Sequence, residues 1–286
     1  MDHLIVVGDG AVGTAVAVAL SASFGNVTLA GPPGTHESRR VFSTHGSVAR
    51  SSCILHTAVD KIPRSGIVVA ALKAFAIREA VPYLKGVNEG SIICVSNGMG
   101  LEEEWGSLSA EVEYAVLSMG FRRTGAAVRI EDGDVFCQAG SAVSSVFEHS
   151  GISIREVEII DNTRWAKWYA NSIINPLAGL CGLENNLLVR AGLRPLIEKL
   201  SFEVSELMPS DETIAEGRIL MEWLLENSPN RCSMLQDIEK GLPTEIDYLT
   251  GLCVRKIPDS CPLAAWLVGM VKHAYQAGTV SAAVCL

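Results

Sequence analysis

The glycine-rich stretch VVGDGAVG, close to the start of the chain, constrains the fold more than any other feature. It follows the apolar run HLIVVG, which predicts a buried strand, and leads into AVGTAVAVALSASF, which predicts a helix. Gly8 permits a tight turn, Gly10 lets a pyrophosphate approach the backbone, and Gly13 lets the helix pack against the strand. The helix N-terminus offers free N–H groups to phosphates. The pattern therefore predicts a dinucleotide-binding loop, with a purely structural turn as the alternative, made of Gly8, Asp9, Gly10, Ala11, Val12 and Gly13.

Apolar runs continue to alternate with helical segments through the first half of the chain. NVTLAG, GIVVAAL, SIICVSN and EVEYAVLSMG predict strands, and FAIREAVPYLKG predicts a helix between two of them. Continuous apolar strands separated by helices are typical of a parallel sheet that is covered on both faces. The segment GAAVRIEDGDVFCQAG predicts an antiparallel hairpin around an Asp-Gly turn.

The pattern becomes helical near residue 160. Helices are predicted at 162–175, 192–207, 212–226, 244–256 and 262–276, with short Gly/Pro/Asn stretches between the later ones. The prediction is an α/β protein in two domains. An N-terminal Rossmann-type doubly wound parallel sheet binds the dinucleotide (1–160), and a second, mainly α-helical domain carries the substrate and catalytic residues (161–286).

Composition and charge narrow the class of partner. With 48% hydrophobic residues and a formal charge of −9, the chain is predicted to bury a substantial core and to bind neither nucleic acid nor an anionic membrane. The eight cysteines form no C-x-x-C pair, no His/Cys/carboxylate cluster has metal-ligand spacing, and no basic signal segment or membrane-length apolar run is visible. A cytoplasmic protein without a metal is expected; the sequence is compatible with a homodimer and does not fix the oligomeric state.

The end of the second predicted strand indicates which dinucleotide is used. An acidic residue there would bind the ribose 2′-hydroxyl of NAD, but GPPGTHESRR has none before Glu37 and offers His36, Arg39 and Arg40 instead. Because a 2′-phosphate requires cations, NADPH is favoured over NAD, with Arg39 and Arg40 as its contacts; solvent-exposed arginines are the alternative. Lys73 and Asn97 follow later strands and are predicted to lie near the cofactor or the substrate.

The segment KWYANSIINP places Lys167, Asn171 and Asn175 in one row of a helix at i, i+4 and i+8. The row is either a solvated face or a catalytic one, and Pro176 is predicted to stop or bend the helix near Asn175. Downstream, Glu245 heads an apolar stripe, so its carboxylate is expected to be partly buried and to require a cation. Lys167 is a candidate for that cation.

Together these motifs resemble the ketopantoate reductase (2-dehydropantoate 2-reductase) family. The resemblance is carried by GDGAVG, LKAF, SNGMGLEE, KWYANSIINPLAGL and CSMLQDIEKGLPTEIDYLTG, which follow in order over most of the chain. It implies a Rossmann domain and a helical domain with the active site in the cleft between them. It also implies hydride transfer from NADPH to the C2 carbonyl of a 2-oxo acid, here ketopantoate, in pantothenate biosynthesis.

The resemblance also implies a role for each candidate residue. Lys167 would be the general acid and Glu245 would orient it, while Ser233 would hold the substrate carboxylate. Asn171 and Asn175 would bind hydroxyl and carbonyl groups of the substrate. The alternatives are a reductase for another 2-oxo acid, another two-domain dehydrogenase, and a dinucleotide-sensing protein without turnover.

Overall fold

The computed structural model describes residues 3–63, 66–85, 91–106, 108 and 110–277. The chain divides into two compact units. The first runs up to Ser96 and resumes at Leu101–Ile160, and the second consists of Asn97–Gly100 and the chain from Asp161 onward. The short segment 97–100 therefore belongs to the second unit, although it begins only three residues after the end of a strand of the first, Ile92–Cys94.

The first unit is an α/β sandwich built around one sheet. Its described residues form eleven strands: β1 (His3–Val7), β2 (Asn26–Gly31), β3 (Ser38–Gly46), β4 (Arg50–Ala58), β5 (Ile67–Ala70), β6 (Ile92–Cys94), β7 (Val112–Leu117), β8 (Phe121–Thr124), β9 (Ala127–Ile130), β10 (Asp134–Gln138) and β11 (Ser153–Val157). Its helices are α1 (Ala11–Leu20), α2 (Ile77–Leu84), α3 (Glu102–Trp105) and α4 (Ala142–Phe147), with 3₁₀ turns at Val59–Lys61 and Ala74–Ala76.

The strand order places the glycine-rich loop where ligands bind in such sheets. The order is β11-β10-β7-β6-β5-β1-β2-β4-β3-β9-β8, and β7, β6, β5, β1, β2 and β4 run parallel. From β1 the chain continues to β2 on one side and later returns to β5 on the other. The loop after β1 therefore lies at the carboxyl ends of the strands, at a point where the direction of winding changes. The predicted α/β class is confirmed.

The apolar runs explain the interior of this unit. Strand β1 is buried from Leu4 to Val7, and α1 is buried from Gly13 to Leu20, so helix and strand share one core. Such nearly continuous burial is what a parallel strand covered on both faces requires.

The predicted hairpin over 125–140 is wrong. Strand β9 pairs with β8 and β3, whereas β10 pairs with β7 and β11. The close turn lies earlier, between Thr124 and Ala127, where Gly125 has a φ of +61°. No non-glycine residue in the described ranges has positive φ, and Gly133 is not among the glycines that do, so Asp132-Gly133 is not the type I′ turn that a tight hairpin favours.

The second unit is helical. Its elements are α5 (Ile160–Cys181), α6 (Arg194–Ser205), α7 (Asp211–Asn227), α8 (Ser233–Glu239), α9 (Thr250–Lys256) and α10 (Pro262–Ala277), with 3₁₀ turns at Asn185–Leu187, Ile246–Tyr248 and Pro258–Ser260. Helix α5 supplies the centre of the core, where Trp168 and Tyr169 are fully buried. Gly217 lets α7 pack closely on it, because a Cβ there would lie 2.8 Å from that of Tyr169.

Helix α5 runs through Pro176 to Cys181, so the predicted end near Asn175 is wrong. A proline lacks the N–H that would normally bond to the carbonyl four residues earlier, here that of Ser172. The hydroxyl of Thr250 replaces this donor, at 2.6 Å from the Ser172 oxygen. A buried contact from a distant helix thus satisfies the backbone, and α5 continues.

No helix in the described ranges combines the length and the hydropathy that a membrane span requires.

Candidate active site

The glycine-rich loop has the geometry of a phosphate-binding turn. Gly8 adopts a φ of +106°, and a Cβ there would lie 2.4 Å from the carbonyl oxygen of Ala71. A Cβ on Gly13 would lie 1.7 Å from the Gly8 oxygen, so only glycine lets α1 approach β1. At Gly10 a Cβ would meet no described atom within 4 Å, which leaves the head of the helix open to a ligand. These features fit the pyrophosphate of a dinucleotide, with Ala11 and Val12 offering their N–H groups at the first turn of α1.

The predicted cofactor contacts outside this loop lie on different elements of the first unit. Lys73 follows β5 and is half-buried at the head of the 3₁₀ turn Ala74–Ala76. Arg39 and Arg40 are exposed on β3, a strand that the sequence analysis did not foresee, and the Arg40 Nε donates to the Ser38 hydroxyl at 2.8 Å. Both arginines therefore lie on a strand and not in the loop after β2.

Two contacts near the loop were missed from the sequence. The carboxylate of Asp9 lies 3.0 Å from His56 Nε2, and the guanidinium of Arg123 donates to the Asp9 backbone carbonyl. Both partners come from strands that carry no recognisable motif, β4 and β8. Only the pairing of these strands into the sheet brings them beside the loop.

In the second unit, Lys167 lies on α5 with its ammonium group directed to Asn97. The distance from Lys167 Nζ to Asn97 Oδ1 is 2.7 Å, across a sequence separation of 70 residues. Burial lowers the pKa of Lys167 from 10.5 to about 8, and the negative charge of Glu245 partly opposes that change. The lysine is therefore mostly protonated at neutral pH, yet it releases its proton more readily than an ordinary lysine.

One peptide carbonyl fixes the relative position of these two side chains. The Tyr248 oxygen accepts a hydrogen bond from Trp168 Nε1 and another from the Met99 backbone N–H, each at 3.1 Å. Trp168 follows Lys167, and Met99 lies two residues after Asn97. Gly98 has a φ of +97°, and a Cβ there would lie 2.7 Å from that of Tyr248, so the position requires glycine.

A small, narrow pocket, partly open to solvent, lies beside this contact. Its polar lining combines Asn97 and Asn175 with Ser233, Asp237 and Glu245, and the apolar side chains of Met234 and Leu249 complete it. Asn175 and Glu245 are each only 6% exposed. A carboxylate as buried as that of Glu245 requires a nearby cation, as the sequence predicts. The structure therefore brings four of the predicted residues together around one pocket and Lys167 into contact with one of them.

The positions of Asn171 and Asp237 differ from what the sequence predicts. Asn171 is half-buried one turn before Asn175, and in the described part of the chain it does not line the pocket. Asp237 lines the pocket but was given no role. The signal was available: Asp237 follows Ser233 by four residues on α8, which puts both on one face of that helix.

Cys232 stands just before Ser233 and stabilises the same region. Its thiol is buried, which raises its pKa to about 11, and it approaches the Asn175 carbonyl oxygen at 3.8 Å. The thiol is thus a packing group and not a nucleophile at neutral pH.

The glycine-rich turn of one unit, and the pocket beside the Lys167–Asn97 contact of the other, are features of the dinucleotide-dependent oxidoreductase class. Comparison with known proteins agrees. The family model for ketopantoate reductase PanE/ApbA matches residues 4–142, and the model for its C-terminal part matches residues 159–271. The chain therefore belongs to the ketopantoate reductase family, in which NADP dependence is typical.

Individual relatives are distant. The chain is 28% identical over 199 residues to a 2-dehydropantoate 2-reductase of Pyrobaculum aerophilum, covering 66% of this chain and 69% of that one. It is 24% identical over 276 residues to a 2-dehydropantoate 2-reductase of Vibrio cholerae, covering 89% and 90%. A structure of D-mandelate dehydrogenase with NADH and anilino(oxo)acetate matches at a TM-score of 0.82 and 17% identity, over 97% and 100% of the two chains. The last of these similarities concerns the fold alone.

Proposed function

We propose that this protein reduces the C2 carbonyl of a 2-oxo acid, with a nicotinamide dinucleotide as reductant, and that its substrate is 2-dehydropantoate (ketopantoate). The product would be pantoate, for pantothenate and coenzyme A biosynthesis. Family membership and the names of the relatives support the reaction. The observation that carries the proposal is the Lys167 ammonium, bonded to Asn97 and with a pKa of about 8.

The chemistry requires a proton donor at the carbonyl oxygen. When bound, the cofactor supplies a hydride to the carbonyl carbon, and negative charge grows on the oxygen. Lys167 donates its proton to that oxygen, and general acid catalysis of this kind typically contributes ~10²–10⁴-fold. Asn97 orients the ammonium group through the 2.7 Å contact, and Glu245 favours its charged form. Lys167 is thus the general acid, and Glu245 a positioning residue.

The lining of the pocket favours a substrate that carries a hydroxyl group. Asn175 offers both a donor and an acceptor, and Ser233 a hydroxyl. The carboxylates of Asp237 and Glu245 only accept hydrogen bonds when ionised, so they suit a hydroxyl donor such as the terminal hydroxyl of ketopantoate. In this assignment Ser233 binds the substrate carboxylate, and Asn175 binds its hydroxyl or carbonyl group. The role predicted for Asn171 has no support from the lining of the pocket and stays a prediction.

The loss of nicotinamide absorbance tests the substrate. Ketopantoate is compared with 3,3-dimethyl-2-oxobutanoate, which lacks only the hydroxyl group, and with benzoylformate, the 2-oxo acid of mandelate. We expect turnover of ketopantoate to exceed that of the analogue by roughly 10-fold or more, because a hydrogen bond to a charged group is worth about 1.5–3 kcal/mol. Preferred turnover of benzoylformate would assign the protein to another 2-oxo acid. Cofactor binding without turnover of any substrate would indicate a dinucleotide sensor.

Lys167→Ala tests the catalytic role. We expect kcat to fall at least ~100-fold, the lower bound for a lost general acid, while cofactor affinity measured by fluorescence titration stays unchanged. Lys199→Ala, which removes an exposed lysine from α6, is the matched control and should retain wild-type turnover. A near-normal kcat in Lys167→Ala would show that Lys167 is not the general acid.

Finer points of the assignment stay predictions. The sequence predicts NADPH as the preferred cofactor through Arg39 and Arg40, and the double alanine variant should then bind NADPH more weakly. Unchanged NADPH affinity would show that other groups recognise the 2′-phosphate. A cytoplasmic location agrees with a metabolic role, and gel filtration with light scattering would determine whether the protein is the homodimer with which the sequence is compatible.

A further inference from the structure

The carboxylate of Asp9 lies at the carboxyl end of β2, where dinucleotide-binding folds recognise the adenine ribose. A Cβ built on Gly31, the last residue of β2, would lie 2.6 Å from Asp9 Oδ2. An acidic side chain at the end of this strand usually binds the ribose 2′-hydroxyl of NAD, whereas an arginine nearby accommodates the 2′-phosphate of NADP. Here the strand ends in glycine, and the glycine-rich loop supplies the carboxylate instead.

His56 holds this carboxylate in place. Its Nε2 lies 3.0 Å from Asp9 Oδ2, and the ring packs edge-on against Phe42 at 5.9 Å between centroids. Its buried Nδ1 has no hydrogen-bond partner in the described part of the chain. Because an ionised carboxylate only accepts hydrogen bonds, the tautomer that fits this contact is the one with the N–H at His56 Nε2. The Asp9 side chain is itself 32% exposed and stays accessible to a ligand.

Two arginines of the described chain, Arg123 and Arg40, donate hydrogen bonds to groups other than this carboxylate. The Arg123 guanidinium donates to two backbone carbonyl oxygens, those of Asp9 and of Gly125. The Arg40 Nε donates to Ser38. A phosphate placed against Asp9 would therefore meet a like charge, whereas a hydroxyl would meet an acceptor that is already oriented.

We propose that Asp9 accepts a hydrogen bond from the adenine ribose and thereby selects NADH over NADPH. The inference rests on the proposed nicotinamide-dependent reduction, and it opposes the preference for NADPH that the sequence and the family predict. Asp9 acts as a specificity-determining residue, and His56 positions it.

Direct binding tests the inference without any substrate. The dissociation constants of NADH and NADPH are measured by nicotinamide fluorescence for the wild type and for Asp9→Asn, which keeps the shape of the side chain and removes its charge. We expect the wild type to bind NADH at least about 10-fold more tightly than NADPH, and Asp9→Asn to reduce that ratio roughly 10-fold or more. Asp132→Asn is the matched control. Asp132 is exposed and follows the end of β9 that pairs with Gly46. Gly46 lies at one end of β3 and Ser38 at the other.

Two outcomes would overturn the inference. One is tighter binding of NADPH than of NADH by the wild type, a result that requires no variant. The other is an Asp9→Asn variant, folded by circular dichroism, that changes both affinities equally. Arg123→Ala tests the opposite explanation, in which Arg123 binds a 2′-phosphate. A selective loss of NADPH affinity in this variant would show that Arg123 recognises that phosphate. NADH-selective binding without turnover would leave the inference standing and contradict only the proposed reduction.

Discussion

The electrostatic coupling between Glu245 and Lys167 gives the sharpest prediction about the chemistry. Burial lowers the pKa of Lys167 to about 8, and the charge of Glu245 keeps it from falling further. Glu245→Gln removes that charge and preserves the shape of the side chain. We therefore expect the pKa of Lys167 to decrease in this variant, and activity to be lost at lower pH than in the wild type.

The size of the effect follows from the titration curve. With a pKa of about 8, about nine tenths of the Lys167 side chains are protonated at pH 7 and about half at pH 8. Loss of a nearby opposite charge shifts a pKa by about one unit or more, so a one-unit decrease leaves about half protonated at pH 7 and about a tenth at pH 8. The ratio of variant to wild-type activity should then fall from about one half at pH 7 to about one fifth at pH 8, beyond any loss that does not depend on pH.

The assay is the pH dependence of kcat/KM, which reports the ionisation of groups in the free enzyme. Activity should decrease as pH rises through about 8 in the wild type, because the proton donor is lost, and the whole limb should move to lower pH in Glu245→Gln. Glu216→Gln, an exposed change on α7, should leave the profile unchanged. An alkaline limb at the same pH in Glu245→Gln and the wild type would refute the electrostatic role of Glu245.

Two further predictions concern the scaffold of the pocket. Gly98→Ala should lower both thermal stability and turnover, because the added Cβ meets Tyr248 at 2.7 Å; Gly269→Ala, on the open face of α10, should be neutral or stabilising in the same melting assay. Thr250→Val should reduce the free energy of unfolding by about 1–3 kcal/mol in a denaturant titration, because the buried Ser172 carbonyl loses its donor. Thr250→Ser keeps the hydroxyl and should lose much less, and equal losses in both variants would exclude the hydrogen bond as the cause.

The sequence predicts the central part of the first unit well, since local patterns determine it. The apolar run before Gly8 and the helix after it are found where the periodicity predicts them. Their own apolar residues are sufficient to indicate that both elements are buried. Strands β3 and β4 were missed. Their residues alternate only weakly between exposed and buried, and their stability comes from pairing with each other and with β2 and β9, which no local pattern reveals.

The candidate site likewise contains features that local sequence patterns predict and features that depend on distant parts of the chain. Lys167 and Asn175 lie on one helix, so their common direction follows from helical periodicity. The contact of Lys167 with Asn97 spans 70 residues and depends on where the backbone at Gly98 turns, so periodicity could not supply it. Pro176 was predicted to stop or bend the helix, and the stop is wrong for a similar reason, since the compensating hydroxyl comes from Thr250 on another helix.

Lys167, the proposed proton donor, and the amide of Asn97 are held by contacts made inside one unit. The Tyr248 carbonyl accepts hydrogen bonds from Trp168, the residue after Lys167, and from Met99, two positions after Asn97. A shift of either segment must therefore break one of these hydrogen bonds. Preorganisation of this kind removes the cost of orienting the ammonium group during the reaction, which is how fixed donors stabilise developing charge. It follows that Asn97→Ala should impair kcat without displacing the backbone that carries it, because Met99 and Gly98, and not the Asn97 side chain, attach that segment to Tyr248. A variant with normal kcat would show that Lys167 needs no orienting partner at this position.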